Sequence, residues 1–453
     1  MSSERDVHPN QRHGIESIGW RVRGDNMTTQ KKLKAWVRAR MDQTGESYVV
    51  ARRHILNRLP VDQYMLRGGI HPDTSSLGSV LANRGISNPA NGRPLSEAMI
   101  LGVGGGLGAG YILWQFEKYD HAVVTIGFRN NSQYPDRWFR KTCGRLGVPI
   151  EIHETSGDKR AAGHLQDALA SGFPAIAYVS VADLPYWHLP AEQSGMWGYT
   201  LVVYGQESDR FLIDDRNLKA LTLPGEALSA SRGRIPSYKN RLIVVDPAAV
   251  ELDDDAVLRA VESGLADQVE HLSSKSDSFS LPAIAKWARM LTDERNPKGW
   301  GQVFVDGHGL VEALVSACEG VDEVGIYGGN LRSIYADFLR EAAKITGRPL
   351  GEAERAYRKA AESWEEFASV CLEVPVVNEI IDLNRHRRNA IRQGDQGWDE
   401  AKAAGQRSAR LLKSDAGLGE GARRELFERM AETLRIVHGN EVSALAALVD
   451  AVG

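Results

Sequence analysis

The stretch Pro94–Gly110, PLSEAMILGVGGGLGAG, limits what this 453-residue chain can fold into more than any other. Six glycines fall between Gly102 and Gly110. Glycine is used where backbone must turn sharply or come closer to a neighbour than a Cβ allows. The run is therefore either a ligand-binding loop or a tight crossing of chain segments. Just upstream, Gly68–Ser76 reads GGIHPDTSS and sets special backbone beside reactive side chains: His71, Asp73 and Ser75.

Two physical readings compete for the glycine run. In one, Ala98–Val103 is a buried strand, Gly104-Gly105-Gly106-Leu107-Gly108-Ala109 is a G-x-G-x-x-A turn, and Tyr111–Lys118 is the helix whose N-terminus receives a pyrophosphate. Ala122–Phe128 then supplies the next strand and Arg129 meets a 2′-phosphate, as in an NADP-dependent oxidoreductase. In the other, Ser96-Glu97-Ala98-Met99 is a capped helix start, and Glu97 with Gly104, Gly105 and Gly106 borders a substrate.

Composition narrows the class of protein without choosing between these. A chain of this length forms two or three domains with full cores, and 42% hydrophobic with 25% charged residues is ordinary for a globular protein. A net charge of −4 exerts no global pull on nucleic acid or an anionic membrane. No apolar run is long enough to span a bilayer and the N-terminus lacks a signal-peptide core, so the cytoplasm is the expected location. The three cysteines, Cys143, Cys318 and Cys371, are widely spaced and unpaired in pattern, which excludes a disulfide framework and a cysteine-rich zinc site. No metal is expected.

Residues 1–26 show no apolar periodicity and read as a flexible tail. Residues 27–60 read as a basic helical segment, with helices over Lys31–Met41 and Ser47–Leu59. They form either a solvated face or a docking surface for an acidic partner. From 61 to 250 helices and strands alternate. A helix over Thr74–Asn83 is followed by strands at Ala122–Phe128, Pro149–His153, Ala175–Val181, Leu201–Tyr204, Arg210–Ile213 and Arg241–Val245, with helices at Trp138–Leu146 and Arg160–Ser171. Residues 251–280 read as an acidic-capped helix and a polar linker, Ser273–Ser280. Residues 281–453 read as helical, with core stripes Trp364/Phe367/Val370 and Leu426/Met430/Leu434/Val437.

The order GG-x-H, a short helix, then LSEA-x-x-x-G-x-GGGLG resembles the N-terminal domain of the butirosin biosynthesis protein H family. Gly328–Cys371 resembles the uncharacterised helical domain that often follows it. The resemblance implies an α/β (α+β) papain-like domain followed by a mostly α-helical one. It also implies transfer of an acyl or aminoacyl group from an acyl carrier protein to an amine. In that family a cysteine follows the histidine of GG-x-H; here the residue is Pro72. The partner histidine, before a strand ending V-V-x-G, corresponds to Tyr199. The orienting acid of a D-D-R motif corresponds to Asp215.

With cysteine and histidine both replaced, the usual thioester exchange has no nucleophile. The expectation is a biosynthetic enzyme that transfers, cyclises or condenses an acyl or aminoacyl intermediate without cysteine. His71, Asp73, Ser75, Tyr199 and Asp215 are its catalytic candidates. A serine at 75 would serve as nucleophile if a base reached it; otherwise Asp73 and Ser75 cap the helix. Cys143 has cationic neighbours, while His153, His164 and His188 are spare bases. Arg332 and Tyr335 share a helix face that would take an anion such as a phosphopantetheine arm. No cofactor beyond that arm is implied, and the partner is a carrier protein or a small thioester and amine. Homo-oligomers are compatible with the pattern. A pseudoenzyme that only binds a partner or metabolite is the rival from another class.

Overall fold

The computed structural model of the chain describes residues 64–116, 121–132, 134–245, 250, 252–323 and 325–453, with positions 38, 41, 45, 47 and 48 before them. Apart from those five positions, the expected tail, the basic helices and their docking surface lie outside the described residues. The chain divides into two compact units, Met1–Arg58 and Leu59–Gly453, and the second is described below.

Helix α1 (Pro72–Asn83) starts on Pro72, whose missing N–H would have had no partner in a first turn, while the His71 side chain accepts from the Asp73 N–H. Helix α2 (Glu97–Val103) starts on Ser96, whose Oγ accepts from Met99 N at 2.9 Å. The glycines leave α2 and run into strand β1 (Ile112–Phe116), which pairs antiparallel with β2 (His121–Thr125).

This corrects the dinucleotide-binding expectation. Ala98–Val103 lies in a helix, and the described part of Tyr111–Lys118 is mostly strand, so the turn feeds a strand and not a helix N-terminus. The Ser96 cap with Glu97 in the first turn favours helix before the glycines. The sequence Ile112-Leu113-Trp114, rich in β-formers, favours strand after them.

Helix α3 (Pro135–Arg145), β3 (Ile150–His153), α4 (Asp158–Ala170), β4 (Ala175–Ser180), β5 (Gly198–Glu207), β6 (Arg210–Asp214), β7 (Leu221–Pro224), α5 (Gly225–Gly233) and β8 (Leu242–Val245) follow. The six-stranded sheet has the order β3-β8-β4-β5-β6-β7 and every pair in it is antiparallel. Its two faces enter different cores. Ile176, Tyr178, Val202 and Ile243 point into one, and Ala177, Val179, Leu201, Val203 and Leu242 into the other. Burial on both faces explains why β4 reads as an unbroken apolar run rather than an alternating one.

The remainder is helical: α6 (Asp254–Leu272), α7 (Pro282–Thr292), α8 (Trp300–Val303), α9 (Leu310–Val321), α10 (Arg332–Thr346), α11 (Gly351–Leu372), α12 (Pro375–Arg392), α13 (Trp398–Leu411) and α14 (Glu420–Val452). The larger core runs without interruption from Leu77 and Ile100 through Leu265 and Trp287 to Phe338, Trp364 and Leu434. Ser273–Ser280 is itself packed: Ser280 Oγ donates to Leu272 O at 2.8 Å, and Ser278 O accepts from Tyr111 N at 3.3 Å.

Candidate active site

A cavity of about 520 Å³ opens where the sheet, the β1–β2 hairpin, α9 and α12 meet. Its walls differ in character. Ile112, Trp114, Val123, Ile126, Val315 and Phe279 make an apolar side. His71, Pro72 and Asp73 from the start of α1 make a polar end, facing Thr200 on β5 and the phenols of Tyr178, Tyr199, Tyr238 and Tyr327.

The start of α1 is held in place from behind. Glu97 accepts from Ile70 N at 3.0 Å, His71 N at 2.9 Å and Thr74 Oγ1 at 2.7 Å, and Arg216 Nη1 donates to Ile70 O at 2.6 Å. Glu97 thus positions the loop and is not among the cavity-lining residues. Gly69, at φ 141°, passes over Ser75; a Cβ there would lie 2.4 Å from the Ser75 Cβ. Ser75 Oγ donates back to Pro72 O at 3.3 Å and does not line the cavity.

His71 does line it. Burial pushes its pKa down to about 3, so the imidazole is neutral. Its Nδ1 accepts from Asp73 N at 3.2 Å, which assigns the proton to Nε2. Asp73 accepts from Arg129 Nη2 at 2.6 Å and Thr200 Oγ1 at 2.7 Å. Burial, the largest single influence, would raise its carboxyl, but Arg129, His71 and the Thr200 hydroxyl together outweigh it and hold the group below the usual range. Asp73 is a fixed anion in a buried ion pair.

Asp215 lies behind the cavity wall and is fully engaged. It accepts from Tyr199 OH at 2.5 Å, and from Tyr186 OH and Trp187 Nε1 at 3.0 Å each. The Tyr199 oxygen in turn accepts from Arg216 Nη2. Burial holds the phenols of Tyr178, Tyr199, Tyr238 and Tyr327 above their ordinary pKa, so all four are neutral. The Tyr178 hydroxyl is buried and makes no hydrogen bond.

The remaining sequence candidates lie outside the cavity. Added Cβ atoms at Gly104, Gly105 and Gly106 would fall 2.3 Å from Trp138 Nε1, 2.2 Å from Asp267 Oδ2 and 2.0 Å from Gln268 Oε1. The run is a tight crossing against α3 and α6. Arg332, placed by its spacing as an anion seat, is wholly buried: Nε bonds Glu441 Oε1 at 2.6 Å, Nη1 bonds Asn330 O at 2.7 Å and Nη2 bonds Gly108 O at 2.9 Å. Its guanidinium is spent on protein groups. Tyr335 packs edge-on against Tyr357 in the core. Cys143 is buried, and burial pushes its thiol up to about 12, which overrides its cationic neighbours. His153 and His164 pair with each other at 4.8 Å, and His188 packs on Trp398.

Sequence reasoning missed Tyr178, Tyr238, Tyr327 and Thr200, which no motif marks. It also gave Arg129 to a phosphate, where the fold gives it to Asp73. No group of His, Cys, Asp and Glu with metal-holding geometry occurs among the described residues. Nor is any described helix long and apolar enough to cross a membrane.

An antiparallel sheet with a capped helix entering its cavity, backed by a helical half, defines a papain-like α/β domain with a companion helical region. Residues 71–216 match the family described as Butirosin biosynthesis protein H, N-terminal, and residues 300–396 match Domain of unknown function (DUF4872). The two matched segments stand in the order of the butirosin biosynthesis protein H N-terminal-like family followed by its companion domain. This makes the N-terminal part a biosynthesis-related, acyl- or aminoacyltransferase-like domain. No curated protein matches the chain.

Proposed function

We propose that this protein acts on an acyl or aminoacyl thioester without forming an acyl-enzyme, passing the acyl group directly to an amine held in the same cavity. The observation that carries this is Pro72 on the cavity wall, where the family resemblance leads one to expect a thiol, with the neutral His71 and Tyr178 lining the same cavity. The amine nitrogen attacks the thioester carbonyl carbon. The C–S bond then breaks, and the departing sulfur leaves as a thiol with the proton shed by the nitrogen, giving an amide. The Tyr178 hydroxyl and the His71 Nε2–H are the donors available to the developing oxyanion, and the cavity supplies positioning. An amine within the same substrate would give cyclisation by the same steps. A phosphopantetheine arm of a carrier protein is the proposed thioester carrier, and no other cofactor is invoked.

A second reading, a binding protein without chemistry, draws support from Asp215, whose carboxylate is saturated by Tyr186, Trp187 and Tyr199 and so has no histidine to orient. Intact-protein mass spectrometry with acyl-pantetheine thioesters and amines, with released thiol followed in parallel, separates the two. Amine-dependent thiol release with no added protein mass is the expected result. An adduct would overturn the non-covalent route. Binding without thiol release would favour the second reading.

A further inference from the structure

The wall of the cavity contributed by the helical half carries a buried cation, Arg387, that makes no hydrogen bond to a described protein group. Among the described residues six arginines are buried: Arg129, Arg216, Arg232, Arg332, Arg387 and Arg388. Five of them donate hydrogen bonds to protein groups: Arg129 to Asp73, Arg216 to Ile70 O, Arg232 to Ala161 O, Arg332 to Glu441 and Arg388 to Asp215 O. Arg387 differs. Its side chain is 3% exposed and it makes no hydrogen bond to a described protein group: its ion contact with Glu319 spans 3.9 Å, beyond hydrogen-bond reach, and its Nε is buried without a partner, as are those of Arg129, Arg216 and Arg232. Its other neighbour is the Trp187 ring, at 5.9 Å.

Taking a guanidinium out of water costs several kcal/mol unless its N–H groups are satisfied. A protein that leaves one unsatisfied on a cavity wall has left a place for an acceptor. Arg387 lines the same cavity as His71 and Asp73, and Asn384, one turn earlier on α12, lines it too. Ser408 Oγ donates to Asn384 Oδ1 at 2.9 Å, which fixes that amide beside Arg387. Glu319 is the carboxylate nearest Arg387 that an anion must meet; Glu312, two turns earlier on α9, and Asp73 line the cavity too. Burial raises the pKa of Glu319, so its repulsion of a neighbouring anion is weakened.

We infer that Arg387 is the seat of a carboxylate carried by the substrate, so that the acyl or amine partner handled in this cavity is a carboxylic acid at the end remote from the reacting carbonyl. The planar fork of a guanidinium matches a carboxylate through two parallel N–H···O bonds, and in a desolvated pocket such pairs discriminate strongly against neutral isosteres. The inference rests on the cavity being the substrate site proposed above. It is tested by binding alone, and so can fail independently of the chemistry.

The probes are benzoate against benzamide and hexanoate against hexanamide, titrated into the full chain and followed by tryptophan fluorescence and thermal shift. The wild-type protein is expected to bind each acid about ten- to a hundredfold more tightly than its amide. Arg387→Gln should abolish that preference, and Arg387→Lys should keep part of it. Glu319→Gln should tighten acid binding severalfold. Acid and amide indistinguishable in the wild type, up to the solubility of the amides, would overturn the inference. So would a Glu319→Gln variant that loses thermal stability with no gain in acid affinity, since Arg387 would then be a structural partner of Glu319. Acid preference without amine-dependent thiol release would leave the carboxylate seat standing and remove the proposed chemistry. Thiol release without acid preference would do the reverse.

Discussion

Glu441→Ala tests the assignment of Arg332 to the fold. Both side chains of the Arg332–Glu441 pair are fully buried, and Glu441 Oε1 also accepts from Trp364 Nε1 at 2.7 Å. Removing the carboxylate strands a guanidinium whose remaining bonds go to the Asn330 and Gly108 carbonyls, and it orphans an indole N–H. Breaking one side of a buried pair costs about 3–5 kcal/mol, and an unpaired buried donor accounts for about 1–3 kcal/mol within or beyond that. Against a total stability of about 5–15 kcal/mol, the midpoint of urea unfolding should fall by roughly a fifth or more. The double variant Arg332→Met with Glu441→Leu removes both charges and should recover most of the loss, because apolar groups of similar volume need no partner. Equilibrium urea unfolding by circular dichroism measures both. A loss below about 1 kcal/mol for Glu441→Ala, or a double variant as unstable as the single, would refute the argument.

Three further outcomes are expected. Because burial lowers His71 from 6.5 to about 3, the unfolded chain takes up that proton first on acidification. The stability tied to neutral His71 is therefore complete above pH 6.5 and is lost as pH falls toward 3. Asp214, raised by burial to about 6, acts in the opposite sense over part of that range, so the quantity to measure is the difference in urea midpoint between wild type and His71→Asn across pH. All three cysteines are buried, so iodoacetamide should alkylate none of them in the native protein and all of them in urea, as read by mass. Pro72→Cys with Tyr199→His puts a thiol at the first turn of α1 on the cavity wall, where the helix N-terminus favours a thiolate. It should gain one acyl mass from an acyl-pantetheine thioester; no adduct, in a variant that iodoacetamide does modify, would mean that Tyr199 does not stand where a base must.

Local sequence carried the elements well. Ser96 and Asp253 each accept from the backbone at the helix starts read for them, and the apolar runs at Ala175 and Leu242 became the buried strands expected of them. Those features rest on interactions within a few residues, which a linear pattern records. That Pro72 falls where the resemblance puts the family's cysteine was read from the motif alone, because the surrounding pattern gives the position. The partners of charged groups were not legible. Spacing put Arg332 and Tyr335 on a common helix face, but Glu441, which takes up the Arg332 charge, lies on α14, more than a hundred residues away. The glycines announced close approach, yet only packing shows that α3 and α6 approach them and not a phosphate. Tyr178, Tyr199, Tyr238 and Tyr327 come from β4, β5 and two connecting segments and share no sequence pattern. Which of the six arginines buried among the described residues finds no hydrogen-bond acceptor within the fold is likewise a property of the assembled interior: that depends on which groups arrive within about 3 Å, and long-range packing alone decides it.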